Sequence, residues 1–196
     1  AAIMAVPSMA QGPFGPPPVV TSVTSPDASL KLEFLVRRGA PRYKVSLNDV
    51  TFIQEAPLGF VSNLGDFSQG MELKSHEIRA IDENYALDRI KSSNIHYTAN
   101  ELKLCLEGTG GHEVDIVFRV SDNDVAFRYE IPKIGETGSI VITEEKTGFD
   151  LPDESTTFVC PQSDAMIGWK SSKPSYEEEY EHDAPMGLLS RYGHGY

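Results

Sequence analysis

Basic residues are scarce in this chain of 196 residues: 17 Lys and Arg stand against 29 Asp and Glu, for a formal charge of −12. Nucleic acids and anionic membranes are held mainly by Lys and Arg, so neither is expected as a partner, whereas neutral sugars and cations remain compatible. Cysteine is scarce too. Cys105 and Cys160 are too few for a disulfide scaffold, and both sit in apolar, strand-like surroundings. A buried free thiol is the commoner state there, with a single Cys105–Cys160 bridge as the alternative. No apolar run approaches the roughly 18 residues needed to cross a bilayer, so no membrane span is expected. Also absent are Gly-x-Ser-x-Gly, His-Glu-x-x-His, a Walker loop, Cys-x-x-Cys and Gly-x-Gly-x-x-Gly. The common hydrolase, zinc and nucleotide signatures therefore supply no catalytic residue. The five histidines are scattered, and the adjacent pair His182-Asp183 reads as a solvated turn before it reads as a catalytic dyad.

What is present is a chain cut into short pieces. It is 40% hydrophobic, enough for a real core, while 13 Pro and 16 Gly interrupt every stretch, as all-β domains require. Residues 1–11 resemble the end of a secretory signal, a small apolar run closing on Ser8-Met9-Ala10, without the basic leader; a disordered apolar tail is the alternative. Export would place the protein in a periplasm or outside the cell. Residues 12–18 are too rich in proline for a helix and read as an extended linker, so residues 1–18 stand outside the folded domain, which spans residues 19–196.

From residue 19 the period is that of strands. Thr24-Ser25-Pro26-Asp27 is turn chemistry, after which Leu30, Leu32, Phe34 and Val36 alternate with Lys31, Glu33, Leu35 and Arg37. Turns at residues 38–41 and at Asn48-Asp49 fold residues 42–47 and 50–54 into a β-meander. Signals weaken over residues 62–83, where residues 72–80 fit a short helix or an irregular loop equally well. Strands resume at residues 95–97 and 101–107 around a turn at Asn100. A Gly-rich hairpin at residues 108–111 leads to a strand at 114–120, and the turn Asp122-Asn123-Asp124 to another at 125–131, closed by Pro132. Two further strands are expected at residues 139–146 and 156–160. No helical pattern alternates with these strands, so the expected architecture is all-β: two packed, mostly antiparallel sheets. The closing Gly-aromatic run, residues 191–196, reads as a break within a domain.

The one constellation with metal chemistry is Glu177-Glu178-Glu179-Tyr180-Glu181. Carboxylates this dense repel one another unless solvent or a cation screens them, and hard cations such as calcium take oxygen ligands. A solvated edge strand is the simpler account. In a strand, Tyr176, Glu178 and Tyr180 would share one face and Glu177, Glu179 and Glu181 the other. Arg119 and Arg128 could face a sugar, but pairing with neighbouring Glu is the expected role.

Several pieces, taken in order, resemble the N-terminal domain of glycoside hydrolase family 97. They are Thr24-Ser25-Pro26-Asp27, Pro57-Leu58-Gly59, residues 94–102 with Tyr97 and Asn100-Glu101-Leu102, Phe118-Arg119, Ala126-Phe127-Arg128-Tyr129 and Glu145-x-Thr147-x-Phe149. The resemblance runs from about residue 23 to the end. It implies a β-super-sandwich that precedes a (β/α)8 barrel in secreted or periplasmic bacterial enzymes cleaving α-glucosides or α-galactosides. The catalytic carboxylates lie in the barrel, so none is carried onto this chain. By motif, one residue is: calcium-dependent members take a ligand from an N-terminal-domain Glu three residues before a Tyr, matched here by Glu177 and Tyr180. The implied partners are the chain's own downstream barrel and the oligosaccharide substrate. Two departures stand out. Asn123-Asp124 replaces an expected Asp-Gly, which would ask Asp124 for a glycine-like turn conformation, and the tryptophan-rich element expected near residues 157–161 is missing. The residues alone leave a second function open, a free-standing glycan-binding or cell-surface sandwich using Trp169, Tyr176 and Tyr192.

Overall fold

The computed structural model describes residues 19–89, 94–133, 136, 138–160 and 180–190. They fall into two compact units, residues 1–150 and 151–196. Among the described residues the regular structure is all strand.

In the first unit, β1 (Val19–Thr24), β2 (Leu30–Arg37), β3 (Ala40–Leu47) and β4 (Val50–Pro57) form an antiparallel meander in chain order. Its two tight turns have left-handed pairs, Arg38-Gly39 at φ 51° and 81° and Asn48-Asp49 at φ 47° and 66°. This geometry matches the twist of the flanking strands, and Asn, Asp and Gly tolerate it best. A second sheet has the order β10-β9-β8-β7, from β7 (Glu72–Ala86), β8 (Asn94–Glu107), β9 (Glu113–Val120) and β10 (Val125–Glu130). A small sheet joins β11 (Ile142–Glu145), β5 (Phe60–Ser62) and β6 (Gly65–Asp66). In the second unit, β12 (Thr156–Val159) pairs with β13 (Glu181–Pro185).

The inward positions of the two large sheets make the core. Leu32, Phe34, Tyr43 and Val45 from the meander, and Leu102, Leu104, Leu106, Ile116 and Phe118 from the second sheet, are each at most 2% exposed. Burying each such side chain stabilises the fold by about 1.5–3 kcal/mol. The expected sandwich is therefore present, with its alternation set by the strand period.

Three local expectations are corrected. Residues 72–80 form neither a helix nor a loop but the first part of β7, paired residue by residue with β8 from Glu72↔Glu107 to Ala86↔Asn94. Both faces of β7 are exposed except at Leu73 and Ile81, so it never needed the alternating apolar pattern that marks a strand. Its charges also suit an edge strand, where they discourage pairing with another chain. Asn100 makes no turn, because β8 runs straight through it. The Asn100 amide instead donates to the Thr24 carbonyl at 2.8 Å, tying β8 to β1. His182 lies on β13 rather than in a turn.

Candidate functional site

The pieces that carry the family resemblance meet in the fold, and most are spent on structure. Gly59 has φ 124°, and a Cβ there would lie 2.5 Å from the Phe67 carbonyl oxygen. Only glycine fits that position. Its N–H donates to the Tyr129 hydroxyl oxygen at 2.7 Å, and that hydroxyl lies 2.6 Å from Thr147 Oγ1. Thr147 in turn donates to the Glu145 carboxylate. Donors and acceptors balance only one way along this chain: Gly59 N–H to Tyr129, Tyr129 O–H to Thr147, Thr147 O–H to Glu145. Burial raises the Tyr129 pKa against the lowering effect of its two partners, so the phenol stays protonated and can donate. Beside it, Phe127 packs on Tyr43, Phe118 and Phe149.

Ser25 and Asp27 build the first turn in the same way. Buried Ser25 donates its hydroxyl to Asp27 at 2.6 Å and accepts the Leu30 N–H at 2.9 Å. The hydroxyl of Ser25, then the Ser29 N–H and hydroxyl, lower the Asp27 pKa to about 2. The Asp27 N–H donates to the Asp122 carboxylate at 2.9 Å, joining this turn to the β9–β10 turn. There Ser121 N–H donates to the Asp124 carbonyl, and Asp124 does not take the left-handed conformation expected of a glycine substitute.

On the outer face of the second sheet the basic residues are paired, as expected for Arg119 and Arg128. Glu101, 3% exposed, accepts from Arg79 Nε at 2.6 Å and Arg119 Nε at 2.7 Å. Burial alone would raise its pKa, but the two guanidinium hydrogen bonds outweigh it and the net shift is downward. Arg128 pairs with Glu130 at 2.7 Å, and Lys103 bridges Asp115 and Glu130 at 2.7 and 3.5 Å. A depression of about 230 Å3 lies among these residues. Apart from Glu77, its charges are paired with one another or with close neighbours, which suits a solvated face better than a grip on a ligand. A cross-strand pair that sequence reading missed, His96 Nε2 to Asp82 Oδ1 at 2.8 Å, is exposed on both sides.

No group of three or more metal-ligating side chains occurs among the described residues. Glu177, with Trp169, Tyr176 and Tyr192, lies outside them. The described residues that follow in sequence, from Tyr180 on, contribute to an aromatic cluster on the second unit. Tyr180 stacks on Phe158 at 4.9 Å and 12°, and His182 meets the same ring edge-on at 4.8 Å. His182 thus has an aromatic partner, the company of a packing residue. Cys105 and Cys160 are not joined in a disulfide, and both are half-buried. Burial, then Glu113 and Asp115, push the Cys105 thiol pKa up, which disfavours the reactive thiolate.

An antiparallel sandwich of strands alone, among the described residues, defines the class: an all-β domain. The family model "Glycosyl-hydrolase 97 N-terminal" matches residues 23–195, so the chain belongs to glycoside hydrolase family 97, as its N-terminal domain. It is 33% identical over 138 residues to a protein of Streptomyces bingchenggensis described as "Probable retaining alpha-galactosidase", covering 69% of this chain and 20% of that protein. The crystal structure of a β-arabinopyranosidase superposes with a TM-score of 0.83 at 51% identity, over 90% of this chain and 28% of the other. A family 97 enzyme of Pseudoalteromonas sp. strain K8, solved with panose, gives 0.66 at 24% identity over 72% and 22%, a likeness of fold. The chain thus spans between a fifth and under a third of the length of these proteins.

Proposed function

We propose that this chain is the accessory N-terminal domain of an exported glycosidase acting on galacto-configured sugars, which packs on a (β/α)8 catalytic barrel and lends Glu177 to a calcium ion. The observation that carries the reading is the family match over residues 23–195 on a chain far shorter than its relatives. Its sugar preference follows from the two relatives of higher identity, described as an α-galactosidase and a β-arabinopyranosidase. A β-L-arabinopyranoside is an α-D-galactoside without its C6 hydroxymethyl group. One pocket can hold both, discriminating only through what it places at C6. The retaining course goes with the galactosidase relative and implies two barrel carboxylates about 5–5.5 Å apart.

Calcium at Glu177 rests on the Glu-x-x-Tyr spacing to Tyr180 and on the acidic run around it. An ion shared between sandwich and barrel would fix one against the other and place a positive charge near the sugar. The part of the shell on this chain is incomplete, so the chain alone binds calcium weakly. Export rests on the small apolar run of residues 1–11.

The deciding experiment is calcium calorimetry on this chain and on the full-length gene product, each compared with Glu177→Ala. Tight binding in the full-length protein alone, lost on substitution, supports the shared site. Binding indifferent to Glu177, or none, overturns it. Rates on nitrophenyl α-galactoside, β-L-arabinopyranoside and α-glucoside test the sugar, with the glucoside expected slowest. N-terminal sequencing of the mature secreted protein tests export.

A further inference from the structure

The two large sheets of the first unit are out of step by one strand. β1 lies over β8 and β2 over β9, and Tyr43 of β3 packs on both Phe118 of β9 and Phe127 of β10, each ring pair at 6.0 Å. β3 thereby uses up the last strand of the second sheet, leaving β4 with no strand of that sheet opposite it. At one end that place is filled, because Leu58, Phe60 and Phe67 are at most 3% exposed and Phe60 packs edge-on against Tyr129. At the other end it is open. A groove of about 590 Å3 lies there, its apolar lining including Val45, Leu47, Phe52, Val125, Phe127 and Phe149. Leu47 is 44% and Phe149 66% exposed, and the adjoining Val50 is 70% exposed.

The chemistry of the groove selects its occupant. Polar groups line only one rim, at residues 122–124, and two of these are engaged: Asp122 accepts the Asp27 N–H and Asn123 accepts the Ser121 hydroxyl. A sugar would find little to bond, whereas apolar side chains would find a matching wall. Two strand edges border the opening. Residues 146–150 occupy the edge of β4 only from Gly59 to Gln54, through bonds from Lys146 N–H to Gly59, Gly148 N–H to Pro57 and Gln54 N–H to Asp150. The edge of residues 50–53 that faces away from β3, and the outer edge of β10, have no strand partner among the described residues. Open edges beside an exposed apolar wall are what an added strand satisfies.

We propose that the groove is closed by an apolar β-segment of the same enzyme from outside this chain, laid along β10 opposite β4. The inference rests on the reading of this chain as part of a longer hydrolase, since it covers 28% of the β-arabinopyranosidase. Completion of the sandwich would then make its stability depend on the remainder of the enzyme.

The test is amide hydrogen exchange in the full-length gene product and in the 196-residue chain. Peptides covering residues 45–53 and 121–128 are expected to exchange at least ~10-fold more slowly in the full-length protein. Val50→Asp and Phe52→Asp should lower the melting temperature of the full-length protein and leave that of the short chain nearly unchanged. Equal exchange in the two proteins overturns the proposal. So does protection of the short chain that appears on raising its concentration, which would indicate a second copy, or on adding a galactoside, which would indicate a sugar. Glycosidase activity of the full-length protein, measured alongside, tests the hydrolase reading separately.

Discussion

Gly59 and Tyr129, 70 residues apart, are joined by a 2.7 Å hydrogen bond from the backbone N–H of one to the phenolic oxygen of the other. The bond fixes the exit of β4 to β10, and it exists because the backbone at Gly59 passes so close to Phe67 that no side chain fits. Tyr129→Phe keeps the ring but removes the acceptor, leaving a buried N–H unsatisfied at a cost of about 1–3 kcal/mol. For a chain of this size the melting temperature should fall by about 2–4 °C per kcal/mol. Gly59→Ala should be worse, combining a clash with a disfavoured φ. Calorimetric melting of the two variants checks the order; a Gly59→Ala protein as stable as the parent would contradict the geometry.

The same residues show what was legible in the sequence. The strands of the meander and of residues 101–131 could be read because each has one buried face, and burial forces the apolar-polar alternation. β7 could not be read, because both its faces meet solvent and its pairing with β8 leaves no trace in its own composition. Asn100 looked like a turn because isolated Asn usually makes one, yet its amide is taken up by Thr24, 76 residues away. The resemblance identified the right motifs, but their convergence at Tyr129 depends on contacts that sequence spacing does not encode. Arg119 and Arg128 were read correctly as ion-pairing residues because the sheet period places carboxylates beside them.

Asp27 is expected to titrate far below an ordinary carboxylate. Hydrogen bonds from Ser25, then from Ser29, hold its pKa at about 2. Following the side-chain carboxyl by NMR from pH 6 downward should show Asp27 still ionised after most other carboxylates have protonated. In Ser25→Ala the largest of these stabilising bonds is gone, so the midpoint should move up; an unchanged midpoint would mean that the turn is held by other groups.

The two thiols offer a chemical check. No disulfide joins the two cysteines, so the mass should be unchanged by reduction, and two thiols should titrate with a disulfide reagent in denaturant without prior reduction. In the folded protein Cys105 should react more slowly than a free thiol at pH 8, because burial and the flanking carboxylates disfavour the thiolate. Cys105→Ser removes the slow component if the assignment is right.

Glu101 ties three strands of the second sheet together, and its contribution should depend on pH in a defined direction. Arg79 approaches from β7 and Arg119 from β9, while the carboxylate itself is 3% exposed. Its folded-state pKa lies below the ordinary value for Glu, about 4.3, so the folded state favours the ionised form. The stabilisation is therefore complete above about pH 4.3 and is lost as the pH falls through the folded-state value. Both arginines are partly exposed, which tempers the cost of losing their partner, so Glu101→Gln should destabilise by about 1–3 kcal/mol near pH 7. Denaturant unfolding of parent and variant across pH 2–7 checks the sign. The difference between them should be greatest at neutral pH and shrink toward acid, since a protonated Glu101 offers the arginines little more than glutamine does. A difference that stays constant down to pH 2, or grows, would mean that the carboxylate charge contributes nothing and that Glu101 acts through its shape alone.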